Sequence, residues 1–236
     1  MAQSYFIWNG IDCRNMGVKL SGPVPIVRPE ERVQHIEIPG RSGDMTQTEG
    51  EQIYNSYIQT ASIMVPGGYR VRDIYKWLRG SGYVTFSGEP DRRQEARIIG
   101  AITLNKHSRN LDWWVGEVQF YCQPLKQKLS QAQDTVSMNG TIINAGDVDE
   151  KPVFVVTCTG GTATLTVGDK SISVSDNSQG TLLRIDSDAM MVTDTSMALN
   201  WNKWAIGDYP VLKPGSNTIG GSGWSSVTIW RRERFL

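Results

Sequence analysis

The sequence has no window approaching the run of about eighteen apolar residues that a membrane-spanning helix needs. It has only three cysteines, Cys13, Cys122 and Cys158, far apart and in no Cys-x-x-Cys pair. That argues against both a disulfide framework and a thiolate zinc site, and the three read as small buried residues of a protein made in a reducing cytoplasm. Charge of one sign is also missing, because Lys plus Arg and Asp plus Glu each number 24. Cutting after Pro124 leaves 14 basic and 13 acidic residues before the cut, and 10 and 11 after it. Neither half has the surplus that phosphate-backbone binding normally needs, and near-zero net charge favours association. The opening stretch Met1–Gly10 has no basic region followed by an apolar one, so no signal peptide is expected.

Catalytic signatures are equally scarce. No Gly-x-Ser-x-Gly, His-Glu-x-x-His or phosphate-loop sequence occurs. The two histidines, His35 and His107, stand in unrelated settings and supply no repeating metal signature. Paired carboxylates at Glu30/Glu31, Glu49/Glu51 and Asp186/Asp188 have the spacing a glycoside hydrolase could use. Turn and loop composition explains them more simply. Asp147, Asp149 and Glu150 lack the glycine and terminal glutamate of a calcium loop, so they read as a solvated loop. No cofactor, metal or catalytic residue is expected.

What is present is a folded composition, 236 residues with 39% hydrophobic and 20% charged. Tyr5–Trp8 and Val18–Leu20 flank the turn pair Asn9-Gly10 and suggest a hairpin. Pro23, Pro25 and Pro29 make the next stretch extended. Arg32–Ile38 reads as a strand, ended by the polar Pro39–Asp44 loop. Tyr57–Val65 is the clearest strand. Val71, Ile74, Tyr75 and Leu78 give the one helical stripe, with Gly80 as its left-handed end. Tyr83–Ser87, Ala96–Leu104 and Trp113–Cys122 complete the half, the last alternating Trp114, Val118, Phe120 and Cys122 and broken by Gly116. This suits a small β-barrel or sandwich with one helix.

After Pro124 the strands become short and glycine-separated: Val153–Cys158, Thr162–Val167, Ser171–Ser175, Thr181–Ile185, Met190–Thr193 and Val227–Trp230. Such spacing without a helical window predicts an antiparallel β-sandwich. The predicted class is therefore mostly β, with domains at 1–130 and 131–236 and Leu125–Gln133 as the connection.

The order of several segments resembles the distal tail (Dit) family of long-tailed phages and prophages. They are Phe6–Gly10 with Asp12 and Met16-Gly17-Val18, Pro29–Arg32 before Pro39–Gly43, Trp77-Leu78, and Phe120–Pro124. In the second half they are Asn144-Ala145-Gly146, Lys151-Pro152, Asp186, and Tyr209-Pro210 through Pro214–Asn217. The resemblance spans essentially the whole chain, and its order and spacing are more specific than any single motif.

It implies an N-terminal domain that builds a homohexameric ring and a galectin-like C-terminal sandwich. The implied partners are the major tail tube protein, the tape measure protein, and a tail-associated lysin or baseplate protein. DNA would pass through the lumen without specific binding. The implied location is the virion tail tip, with no membrane insertion.

Two groups of residues stand out as contact sites. Gly40–Gln52, with Arg41, Asp44, Glu49 and Glu51, is a candidate arm to a neighbouring subunit, or a surface loop that orders on assembly. Trp201 and Trp204, in an unusually aromatic connection, are candidate sugar contacts, since indole faces stack on pyranose rings; core packing is the plainer reading. A carbohydrate-binding module is accordingly the alternative function. The closing Arg231–Arg234 run reads as a solvated terminus.

Overall fold

The structure, a computed structural model, describes residues 4–48, 50, 52–67, 71–107 and 112–236. The chain divides into two compact units, Met1–Leu129 together with Leu236, and Ser130–Phe235. Every pairing between the strands described below is antiparallel.

The first unit contains β1 (Phe6–Trp8), β2 (Ile11–Asp12), β3 (Lys19–Leu20), β4 (Val33–Glu37), β5 (Asp44–Thr48) and β6 (Tyr57–Pro66). The helix α1 (Val71–Trp77) follows, then β7 (Ser81–Phe86), β8 (Arg92–Ile99), β9 (Leu104–Lys106) and β10 (Trp113–Lys128). The main sheet runs β2-β1-β7-β8-β10-β6-β3, and β9 also pairs with β10. Alternation in β6 and β10 sends Ala61, Ile63, Val65, Val118, Phe120 and Cys122 to one face, where they meet Phe6, Trp8, Ile74 and Leu78. Phe120 meets Phe6 edge-on at 5.4 Å, and Trp77 of α1 stacks on Phe6 at 5.6 Å.

Three local departures from the sequence reading have clear causes. Asn9 and Gly10 both take positive φ, at 50° and 80°. They form a two-residue turn that pairs Trp8 with Ile11, so the hairpin partner is β2 and not Val18–Leu20. Residues Lys19–Leu20 pair with β6 instead. Gly116 interrupts the β10 alternation because a Cβ there would lie 2.1 Å from the Thr103 carbonyl oxygen. Finally, β10 runs through Pro124 to Lys128, so the expected connection begins inside a strand. The register slips between Cys122 and Lys126, the kind of irregularity where a proline does not break the ladder.

The second unit is a β-sandwich. Its strands are β11 (Gln133–Ser137), β12 (Thr141–Asn144), β13 (Val153–Cys158), β14 (Gly161–Val167) and β15 (Lys170–Asn177). They continue with β16 (Leu182–Asp186), β17 (Met191–Asp194), β18 (Ala205–Gly207), β19 (Gly215–Ser222) and β20 (Trp224–Trp230). One sheet is ordered β11-β20-β13-β16-β17 and the other β12-β19-β14-β15-β18. Phe154, Leu165, Ile172, Leu183, Ile185 and Ile229 fill the space between them. Trp224 is buried there and donates its Nε1–H to the Thr164 carbonyl at 2.8 Å. Trp230 is 52% exposed, because it falls on the outward register of β20.

Candidate assembly surfaces

Within Gly40–Gln52, Asp44–Thr48 is not a loop but a strand that closes a hairpin with Val33–Glu37. Strands β4 and β5 pair only with each other and form a separate two-stranded sheet. Its root is tied firmly: the Arg32 N–H donates to the Ile53 carbonyl and the Asn55 N–H to the Glu30 carbonyl, both at 2.8 Å. Beyond the root almost every residue is exposed.

The register sorts the hairpin into two faces. One carries Ile36 opposite Met45, 40% and 50% exposed. The other carries His35 opposite Thr46 and Glu37 opposite Asp44. An isolated two-stranded ribbon is marginal in water, and like charges placed directly opposite destabilise it further. Arg41 lies in the turn between the strands and Asp44 begins β5; both are exposed. Glu49 and Glu51 lie outside the described residues. The Asp44–Thr48 strand was missed because it holds one apolar residue in five; the signal available was its partner Val33–Glu37 across a turn containing Gly40 and Gly43.

Trp201 and Trp204 precede β18, on a short 3-10 turn at Asn202–Trp204. Both are half-buried and pack against the sandwich core, with ring centroids 5.1 Å apart and tilted by 47°. The Lys203 ammonium lies 3.8 Å over the Trp204 ring. These contacts use indole surface that a stacked sugar would need.

The closing run Arg231–Arg234 overturns two expectations at once. Arg231 is 5% exposed and Glu150 is 0% exposed, so the closing run and the last acid of the loop are not solvated, whereas Asp147 is exposed. The Arg231 guanidinium donates Nε–H to Glu150 Oε1 at 3.0 Å and Nη2–H to Oε2 at 2.8 Å. It also reaches Asp134 at 3.1 Å and Glu233 at 2.9 Å. Arg232 points to a second acid, Asp186, which also binds Arg184 at 2.9 Å. Burial alone would raise the Asp186 carboxyl, but the Arg232 guanidinium, the Ala189 N–H and Arg184 outweigh it and hold it at about 2. Asp188 binds Arg234 at 3.3 Å. The carboxylate pair of the sequence is therefore a pair of arginine anchors.

No protein-family model matches the chain, and no curated protein matches it in sequence. Among solved structures, the crystal structure of the SPP1 Dit (gp 19.1) protein matches it with a TM-score of 0.78 over 100% of both chains, at 17% identity. The fold is the Dit fold. SPP1 Dit is described as a paradigm of the hub adsorption apparatus in phages infecting Gram-positive hosts.

Burial pushes the Cys122 thiol up to about 12 and the Cys158 thiol to about 11, and raises that of Cys13 as well. Burial also raises the Tyr57 hydroxyl to about 12, against the lowering effect of its bond with Gln94. His35 is exposed on the hairpin, 3.5 Å from Thr46, and His107 is exposed after β9. Among the described residues no group of three or more His, Cys, Asp or Glu could hold a metal ion.

Proposed function

We propose that this chain is a structural hub of a long-tailed phage or prophage tail tip, acting by assembly rather than catalysis. It closes as a homohexameric ring through residues 1–130 and carries residues 131–236 as a peripheral, galectin-like domain. The ring joins the tail tube protein and the tape measure protein to a tail-associated lysin or baseplate protein, and DNA crosses its lumen without specific binding.

The observation that carries this reading is the full-length likeness to SPP1 Dit. The β4–β5 hairpin supports it physically. A closed ring needs two different exposed faces on each subunit, and a projecting two-stranded ribbon with an exposed Ile36–Met45 pair is suited to supply one. A carbohydrate-binding role at Trp201 and Trp204 is the weaker reading, because their rings pack on the core and on each other.

Light scattering on the full chain across a concentration series, with negative-stain imaging, tests the proposal. Six-fold rings, formed alone or on adding tail partners, are the expected result. A chain that stays monomeric with those partners and selectively retains glycans would overturn the hub reading in favour of the lectin.

A further inference from the structure

The chain contains two Asn-Gly pairs, Asn9-Gly10 and Asn139-Gly140, and each lies in a turn between consecutive strands. Asparagine before glycine is the chemically labile order. The following backbone nitrogen attacks the side-chain carboxamide through a five-membered ring, and glycine leaves that nitrogen unhindered because it has no Cβ. The two turns hold their pairs differently.

Asn9 is seated on β7. Its Oδ1 accepts the Tyr83 N–H and its own N–H donates to the Tyr83 carbonyl, both at 2.9 Å. The carboxamide also lies against Gly82, where a Cβ would stand 2.5 Å from Asn9 Cγ. Asn139 has no such seat. It is exposed, and its side chain makes no hydrogen bond among the described residues. Only the turn restrains it: the Gly140 N–H donates to the Ser137 carbonyl at 3.0 Å, and Asn139 is held at a φ of 61°.

The β11–β12 turn has physical reasons to carry this pair. Its third position takes a positive φ, which Asn tolerates better than most residues. Its fourth has no room for a side chain, since a Cβ on Gly140 would lie 2.2 Å from Val136 Cγ1 and 2.9 Å from the Ser137 carbonyl oxygen. Close packing thus keeps a glycine at the one place where it makes its neighbour reactive.

We propose that Asn139 is a site of spontaneous deamidation in the folded chain, and that Asn9 is protected. The Gly140 nitrogen bonds to Asn139 Cγ, the Cγ–Nδ2 bond breaks, and ammonia leaves with the proton that the nitrogen gives up. Water then opens the succinimide at either carbonyl, giving aspartate or isoaspartate. The product puts a carboxylate beside an uncharged surface. Thr164, Thr166, Ser171, Ser173, Thr218 and Ser222 share the outward face of their sheet with Gly220. Asn139 Oδ1 reaches this face, 3.8 Å from where a Gly220 Cβ would stand. A chain of zero formal net charge thereby gains one negative charge. The inference goes beyond the ring reading and does not depend on it.

The test incubates the full-length protein at mildly alkaline pH in oxygen-labelled water. Peptide mapping then follows label entering each Asn-Gly peptide, and an isoaspartyl methyltransferase reports the isomer. The Asn139 peptide should take up label about tenfold faster than the Asn9 peptide, roughly the factor that one net hydrogen bond supplies. In urea the two rates should converge, because the seat on β7 is lost. Asn139→Gln, which needs a larger ring, should lose the signal at its own peptide and leave that of Asn9 unchanged. Equal rates in the folded chain would overturn the proposal. So would label that reaches Asn139 only in urea, since the turn would then be protecting its own pair.

Discussion

Two charged stretches, Arg32–Gln52 and Arg231–Arg234, look alike in the sequence in that each mixes signs. The fold treats them oppositely. The first becomes an exposed hairpin in which Glu37 faces Asp44 across the strands, with Arg41 in the turn between them. The second becomes part of the interior of the second unit, with Arg231 gripped by Glu150, Asp134 and Glu233. The difference is where the opposite charge sits. Arg231 meets a carboxylate 81 positions earlier in the chain, brought to it by the packing of β13 beside β20. Charge at this density is a solvated face only when nothing distant in the sequence answers it. A charged segment left unanswered within its own chain invites a partner outside it.

The sharpest way to break the contrast is to remove a charge from each stretch. Arg231→Ala leaves Glu150 buried and uncompensated, and should lower stability by about 3–5 kcal/mol. The urea unfolding midpoint measures this. Arg231→Met combined with Glu150→Gln removes both charges and keeps an acceptor for the Arg232 N–H, so it should recover part of the loss. Arg41→Ala in the hairpin turn should change stability by less than about 0.5 kcal/mol. An Arg231→Ala effect as small as that of Arg41→Ala would mean that the terminal run is solvated after all.

Acid probes the same contrast through Asp186. Its folded-state pKa, about 2, lies below the roughly 3.9 of an unfolded aspartate. The unfolded state therefore binds the proton first as pH falls. The stabilisation is fully present above about pH 4 and is lost as pH drops towards 2. Thermal melts from pH 5 to 2 should show a decline that is smaller in Asp186→Asn. An unchanged slope in that variant would show that Asp186 contributes nothing to acid sensitivity.

Packing was far more legible than pairing of charges. The alternation in β6, β10 and β13 is strong because each strand has one buried face, and period-2 apolar residues record that directly. The α1 stripe was legible for the same reason, although Tyr75 turned out to face solvent. Strands β11, β12, β18 and β19 were missed: Gln133–Ser137 and Gly215–Ser222 each hold one large apolar residue, Val136 and Ile219, among polar residues and glycines that read as turn. They are strands because neighbours supply ladders, a fact about register rather than composition. The Asn9-Gly10 turn was visible, but its partner was misassigned because Ile11–Asp12 is too short to carry a pattern. The hairpin residues Arg41 and Asp44 could be named as an arm, yet the Glu37–Asp44 opposition required the β4–β5 register.

The smallest expected effect is also the one that separates fold from assembly most cleanly. Glu37→Lys converts a like-charge cross-strand pair into an opposite one. It should therefore stabilise the isolated hairpin, by about 0.2–1 kcal/mol. Hydrogen exchange of the β4 and β5 amides reads this locally, and the main sheet should be untouched because the hairpin pairs with no other strand. The same substitution changes the charge of a face that the ring reading offers to a neighbouring subunit, so a tighter hairpin should accompany weaker association. A stability gain and an association loss from a single exposed residue cannot both come from damage to the fold. If slower exchange came with unchanged or stronger association, Glu37 would be an ordinary surface charge, and the apolar Ile36–Met45 face would become the part of the hairpin that meets its partner.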